Sequence, residues 1–480
     1  MGRLAKLRED FGSKKIGFKE YYEALFKRIH SRNSKLNAYL EVFEEDCLHK
    51  ASSLDQKSER KPLEGIPIGI KDIISIQGKE LNASSKILKS YKAPRSATVT
   101  ERLERDGAIF PGRCNCDEFA MGSSNENTPF GPVKNPIKLE RTAGGSSGGS
   151  AAAVRADLCV ASLGTDTGGS IRLPAAFCGI TGLRTTYGRV SRSGVIAFAS
   201  SLDQVGPFAD DSLDCAHIMQ SIAGRDARDA TSMNIPVPDY VAAIKNANLK
   251  GKKIGIPDEF FNMEGTQKEV SAASQTFIDA LKREGASVEK LSMPHLPYGI
   301  AVYYVVATAE AASNLARYDG IRYGHRAKEF KNLKDLIVQS RSEGFGSEVK
   351  RRIMLGTFAL SSGYYDAYYS KAQFVRSKIQ NEFLEAFKKV DLIFCPTCPT
   401  TAFKIGEKVN DPLAMYLLDI FTVTANLAGL PGISMPIGMD SQGLPIGGQL
   451  IGRPFSEDQI LATAAACERL GLYESGAIEC

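Results

Sequence analysis

Thr142-Ala-Gly-Gly-Ser-Ser-Gly-Gly-Ser-Ala-Ala-Ala-Val154, a short apolar run, and then Gly164-Thr-Asp-Thr-Gly-Gly-Ser-Ile-Arg-Leu-Pro174 set the reading of this 480-residue chain. Two glycine-serine clusters with an apolar run of strand length between them bring backbone N–H groups and hydroxyls together, because glycine lets the chain turn sharply and approach a ligand. Such a place suits an oxyanion. Three other readings compete for residues 144–150. A flexible linker fits the composition, but linkers do not run straight into Ala151-Ala-Ala-Val154, a helix start for which Ser150 is the expected N-cap. A phosphate loop needs Gly-x4-Gly-Lys-Ser/Thr, and Ser150 stands where the lysine belongs. A plain tight turn stays open on spacing alone.

Upstream, Glu64-Gly-Ile-Pro-Ile-Gly-Ile-Lys71-Asp72-Ile-Ile74 reads as a short buried strand with one lysine near its end. Burying an ammonium without partners is costly. Lys71 is therefore either paired with Asp72 or another acid, or it is a desolvated, neutral amine able to act as a base. Serine nucleophiles usually work with histidine, yet His30, His49, His217, His295 and His325 all lie outside glycine-rich contexts and are expected at the surface or satisfied. A serine nucleophile without histidine points to a Ser-Lys arrangement, and Lys71 is the lysine that fits.

The flanking sequence has the grammar of α/β layering. Phe18, Tyr21, Tyr22, Leu25, Phe26 and Ile29 recur at steps of three and four, which predicts an amphipathic helix over 18–31. Residues 98–106 read as a helix closed by Gly107, with a strand beginning at Ala108-Ile-Phe110. A helix ending at Gly285 precedes a strand over Val288–Leu291, and a helix over Phe374–Lys389 leads into Val390-Asp-Leu-Ile-Phe394. Lys250–Ile256 opens a new segment, while Gly429–Pro436 and the turn at Asp440–Gly443 return to the same sheet. The expected fold is α/β, one large mixed β-sheet of about ten strands flanked by helices on both faces. It forms a single domain over 1–480, with a helical flank over 1–60, a core over 61–210, and a C-terminal part over 250–480 that completes the sheet and covers a pocket.

Composition excludes several classes. Hydrophobic residues make up 43% and charged residues 24%, and the mean hydropathy is −0.17, as in ordinary globular proteins. A formal charge of +5 with no long basic block gives no support to direct nucleic-acid binding. No run approaches a membrane span, and residues 1–30 mix acidic with basic residues and lack an apolar core, against a secretory or organellar leader. The chain is expected to be cytoplasmic. Ten cysteines are scattered and are read as reduced thiols. Cys114, Cys116, Cys395 and Cys398 could together make a four-thiolate zinc site, but buried inert thiols are the expectation, and no metal is assigned.

Lys71, Gly-Gly-Ser146-Ser-Gly-Gly and Gly-Thr-Asp-Thr-Gly-Gly-Ser170, at spacings of 75 and 24 residues, resemble the amidase signature family. The likeness implies that family's fold and its Ser-cisSer-Lys triad: Ser170 as nucleophile, Ser146 as relay on a cis peptide, and Lys71 as base. It also implies an oxyanion hole from the N–H groups of Thr167, Gly168, Gly169 and Ser170. Further segments, among them Asp117-Glu-Phe-Ala-Met-Gly122, Tyr318-Asp-Gly-Ile-Arg-Tyr-Gly324 and Gly356–Asp366, resemble the family's glutaminase subunits of tRNA-dependent amidotransferases. That branch implies glutamine as substrate, its carboxylate held by Arg352 and its amine by Asp419, with Tyr303 a weaker correspondence. From local sequence alone, Arg352 beside Arg351 could equally be a solvated charge. The branch further implies two partner subunits, designated B and C, with Glu-tRNA(Gln), ATP and Mg²⁺ handled on the first of these and no cofactor in this chain. A stand-alone amidase of the same chemistry is the alternative, and a catalytically inert scaffold a more distant one. Ala143, Arg113 and Arg184-Thr185 stand where the family usually has proline, lysine and Lys-Pro; these departures flank the site and leave the triad intact.

Overall fold

The computed structural model describes residues 2–56, 60–245, 247–261 and 263–480. Met1 and residues 57–59 of the flank expected over 1–60 thus lie outside the described residues. Eleven strands form one sheet: β1 (Tyr39–Val42), β2 (Ile68–Lys71), β3 (Gly112–Cys114), β4 (Ala161–Asp166), β5 (Thr181–Arg184), β6 (Gln204–Ala209), β7 (Lys253–Pro257), β8 (Ser287–Leu291), β9 (Leu392–Pro396), β10 (Gly432–Met439) and β11 (Pro445–Gly452). Their order is β1-β3-β2-β4-β6-β5-β10-β11-β9-β7-β8. Pairing is parallel for β3-β2-β4 and for β9-β7-β8, and antiparallel from β4 through β9. The sheet is therefore mixed, with helices packed on it, as the sequence led us to expect. Every residue of β2, β4, β5, β6, β9 and β11 is buried. Because side chains alternate between faces, both faces of these strands are covered.

Within the sheet, the chain's two halves join at one strand pair. β5 lies against β10 with Gly182 opposite Ser434, so the C-terminal hairpin extends the sheet begun by residues 39–209. Some expectations shift in detail. The first long helix runs Phe18–Leu36, beyond the predicted end at 31, and closes on Asn37 in the left-handed region. Around Ala108–Phe110 there is only a single parallel bridge, Ile109 with Pro67; the strand itself starts at Gly112. Cys114 lies on β3 and Cys395 on β9, seven strands apart in the sheet. At ~4.8 Å per strand that is roughly 34 Å, too far for the two cysteine pairs to share one metal. All four thiols are buried. Among the described residues, no helix is long and apolar enough to cross a membrane.

Candidate active site

The site assembles at the ends of β2 and β4, adjacent parallel strands whose ends lie side by side. Lys71 is the last residue of β2 and is fully buried. Its Nζ lies 2.7 Å from Ser146 Oγ, 2.8 Å from Ser147 Oγ and 2.9 Å from Thr165 Oγ1. Three hydroxyls and no carboxylate surround it. Asp72, on the opposite side of the strand, accepts instead from Arg113 Nη1 at 2.6 Å, so the pairing of Lys71 with Asp72 does not form. Arg113, the residue standing where lysine is usual, also reaches Asn82 Oδ1 at 3.0 Å and Glu41 at 3.2 Å, contacts that a guanidinium fork can make at once. Burial pushes Lys71 down to about 8, against the opposing pull of Cys116, Asp117 and Asp166.

Proton positions around Lys71 follow from the neighbouring bonds. Ser147 Oγ donates to Thr165 O at 3.1 Å and accepts from Thr165 N at 3.2 Å. With its own proton so committed, Ser147 must accept from Lys71. A neutral amine that donates to Ser147 and Thr165 keeps its lone pair for the Ser146 hydroxyl. The Gly145–Ser146 peptide is cis. It is held by Gly145 N donating to Ser123 O at 2.8 Å and by Asp117 N donating to Ser146 O at 3.1 Å. The following helix is Gly148–Arg155, one turn earlier than expected. Ser147, not Ser150, occupies the N-cap position; Ser150 lies inside the helix and donates to Leu163 O at 3.0 Å.

Residues 167–170 form a turn between β4 and the Arg172–Cys178 helix. Ser147 N donates to Ser170 O at 3.2 Å, which sets the two glycine-serine clusters against each other. Ser170 remains 7% exposed while Lys71 and Ser146 are sealed, and among the described residues its hydroxyl has no hydrogen-bond partner. The N–H groups of Thr167, Gly168, Gly169 and Ser170 likewise have no acceptor among the described residues. Four consecutive unpaired donors beside a hydroxyl are what a developing oxyanion requires. Gly169 has φ +143°, a region closed to most side chains. A Cβ on Gly168 would stand 2.6 Å from Tyr303 Cζ, so glycine there is what admits the Tyr303 ring to the turn.

Asp166 anchors this turn from below. Its Oδ2 accepts from Ile171 N at 3.2 Å and Arg172 Nε at 3.1 Å; its Oδ1 accepts from Asn426 Nδ2 at 2.7 Å and Arg184 Nη1 at 3.3 Å. Burial alone would raise this carboxyl, but the Arg172 and Arg184 guanidiniums hold it well below the usual carboxylate range. Arg184, another departure from the family pattern, also donates to Leu430 O and Leu202 O, each at 3.2 Å, so it ties β5 to the C-terminal half.

The C-terminal half brings Tyr303, Arg352 and Asp419 to this turn. Arg352 comes from the Ser347–Ala359 helix and is 3% exposed, not a solvated charge. Its Nε donates to Glu348 Oε1 at 2.8 Å, one helical turn away, and Tyr416 donates to the same oxygen at 2.9 Å. Tyr304 and Tyr416 stack with centroids 3.9 Å apart, and the guanidinium lies 5.2 and 5.5 Å from their centroids. Nη1 and Nη2 have no hydrogen-bond partner among the described residues and form an open fork. Asp419 accepts from Ser123 Oγ at 2.7 Å through Oδ2, and burial raises it to about 7 despite that bond and the nearby Arg352. Thr422 Oγ1 donates to Gly168 O at 2.6 Å and to Asp419 O at 3.0 Å, which locks the Asp419 segment onto the nucleophile turn.

Sequence reasoning missed Ser147, Thr165, Ser123 and the Glu348–Tyr304–Tyr416 cradle. Glu348 was within reach as the i−4 neighbour of Arg352 on a helix; the others become visible only when distant loops meet.

The chain resembles known proteins along almost its whole length. The family model described as Amidase matches residues 20–461. The glutamyl-tRNA(Gln) amidotransferase subunit designated A in Acidobacterium capsulatum is 54% identical over 446 residues, covering 92% of this chain and 93% of that one. Its counterpart in a Geobacter species is 52% identical over 469 residues, covering 97% and 96%. A crystal structure of the same subunit from Thermotoga maritima is 40% identical, with a TM-score of 0.81 over 96% of this chain and 95% of that one.

Proposed function

The chain belongs to the amidase family, and from that premise we propose that it hydrolyses glutamine to glutamate and ammonia as the glutaminase subunit of a Glu-tRNA(Gln) amidotransferase. The observation that carries the reading is a buried guanidinium fork at Arg352 within electrostatic reach of a buried carboxylate at Asp419, whose segment is bonded to the Ser170 turn. A zwitterionic α-amino acid satisfies both, its carboxylate on Nη1 and Nη2 and its ammonium on Asp419. Relatives named for this enzyme at 54% and 52% identity agree.

In the proposed reaction, Ser170 Oγ attacks the glutamine side-chain amide carbon. Its proton passes to Ser146, whose own proton goes to neutral Lys71. The carbonyl oxygen becomes an oxyanion held by the N–H groups of residues 167–170, where loss of one donor typically raises the barrier by about 3–4 kcal/mol. Collapse breaks the C–N bond, and the leaving nitrogen takes a proton from Ser146, which recovers one from Lys71. Water then repeats the relay on the glutamyl ester and releases glutamate. Ammonia passes to a partner subunit that activates Glu-tRNA(Gln) with ATP and Mg²⁺, with a small third subunit completing a heterotrimer in the cytoplasm. Ammonia release from glutamine by Ser170→Ala and Lys71→Ala proteins tests the assignment: loss of at least a thousandfold is expected, and activity within tenfold of wild type refutes it.

A further inference from the structure

Two segments that are remote in sequence meet in one basic surface. Residues 86–95 carry Lys86, Lys89, Lys92 and Arg95 and no acid; residues 317–334 carry Arg317, Arg322, Arg326, Lys328, Lys331 and Lys334 against Asp319 and Glu329. The whole chain is only +5, so this patch holds a local excess larger than the protein's own charge. The segments touch: His325 N donates to Ile87 O at 2.7 Å, and the Tyr91 and Tyr323 rings lie 5.5 Å apart. A cavity of about 310 Å³ opens between them, walled by Leu88, Tyr91, Arg95, Arg317 and Tyr323. All ten basic side chains are exposed. None of the ten forms an ion pair among the described residues, although the chain has many such pairs elsewhere.

Exposed apolar side chains are interleaved with these charges. Ile321, Tyr323, Phe330, Leu333 and Val338 are 43%, 37%, 42%, 62% and 49% exposed. Aromatic rings among arginines suit nucleic acid as well as protein, but aliphatic Ile321, Leu333 and Val338 have neither a charge for a phosphate nor a ring to stack on a base. Apolar anchors within a rim of unpaired charge are what a protein interface presents. We propose that this surface docks an acidic, amphipathic polypeptide segment of a partner subunit, its apolar side chains covering Ile321, Phe330 and Leu333 and its carboxylates pairing with the surrounding lysines and arginines. The inference rests on the reading of the chain as one subunit of a complex. Steering by the charge predicts fast, salt-sensitive association, while the apolar contacts set how long the complex persists.

The test uses the full chain with the two purified partner subunits of the amidotransferase, and two surface variants: Arg322→Glu/Lys328→Glu/Lys331→Glu, and Ile321→Ser/Leu333→Ser. Each is expected to weaken assembly at least tenfold, with wild-type melting and unchanged labelling of Ser170 by a diazoketone analogue of glutamine. Assembly of both variants at wild-type affinity overturns the proposal. So does loss of binding to labelled deacylated tRNA with assembly unchanged, which would make the patch an RNA surface. A wild-type chain that neither binds those partners nor hydrolyses glutamine refutes the function above. In that case the patch is probed with a labelled 20-residue helical peptide bearing glutamates and leucines on opposite faces. Tenfold tighter binding by wild type than by the charge-reversed variant upholds the docking surface, and equal binding refutes it.

Discussion

The pH dependence of glutamine hydrolysis tests the site's electrostatics directly. Lys71 must be neutral to accept the Ser146 proton, and burial places it at about 8. Asp419 must be ionised to hold the substrate ammonium, and burial places it at about 7. For a group at 8, the neutral fraction rises from about one in eleven at pH 7 to about ten in eleven at pH 9, so Lys71 alone should raise kcat/KM roughly tenfold across that interval, and Asp419, half ionised at pH 7, about a further twofold. Below pH 7 both groups are in the wrong state, and the fall should approach a hundredfold per unit. Asp419→Asn removes one of the two titrations: its acid limb should flatten to about tenfold per unit, with KM raised about thirtyfold for a lost charge-assisted bond of ~2 kcal/mol. The assay is ammonia release at low glutamine between pH 6 and 10, with each sample returned to pH 8 to confirm that the protein survived. A wild-type profile flat between pH 7 and 9 would refute the neutral-lysine relay. An unchanged acid slope in Asp419→Asn would refute its pairing with the ammonium. Stability carries the same signature. Lys71 titrates near 8 when folded and at 10.5 when exposed, so the unfolded chain binds the extra proton between those values, and the lysine's penalty on folding lifts as pH rises through that window. The melting temperature of wild type relative to Lys71→Met should therefore increase from pH 8 to 10.5.

Arg352→Ala strands Glu348, so the cleaner variant is Arg352→Ala/Glu348→Gln; kcat/KM for glutamine should fall by about 2–3 kcal/mol, or some thirtyfold to two-hundredfold, chiefly through KM. An unchanged KM would show that the carboxylate is held elsewhere. Asp166→Asn leaves Arg172 and Arg184 buried without their counter-charge and should cost about 3–5 kcal/mol by denaturant unfolding, together with loss of Ser170 labelling. A loss below 1 kcal/mol would contradict the anchoring role given to that carboxylate. Gly168→Ala sets a methyl against Tyr303 and should abolish activity, whereas Gly168→Ala/Tyr303→Ala should recover part of it by vacating the space. If the double variant stays as inactive as the single one, the constraint on Gly168 is its backbone and not the tyrosine.

Much of this protein is local and was legible in its residues. Amphipathic periodicity marks the Phe18–Leu36 helix and Gly285 marks the end of Lys268–Arg283, because side-chain spacing and a left-handed residue act over a few positions. The apolar run before Asp166 marks β4, and the two glycine-serine clusters mark sharp turns, as Gly169 at φ +143° requires of its own backbone. What remained ambiguous was every question of partnership. Lys71 beside Asp72 reads as an ion pair or as a base; the decision came when Ser146 and Ser147 from their loop and Thr165 from β4 offered the amine three hydroxyls while Arg113, from β3, took the carboxylate. Arg352 beside Arg351 reads as a solvated charge until the helix bearing it turns one guanidinium inward onto Glu348 and Tyr416. The unpaired basic surface at residues 86–95 and 317–334 is invisible to composition, since its two halves lie more than two hundred residues apart and a balanced total charge hides them. The sequence by itself determined the elements and the nucleophile's turn, which depend on neighbours in the chain. Only tertiary structure decided the protonation of the base, the binding end of the pocket and the charge of the surface, because desolvation and pairing depend on neighbours in space.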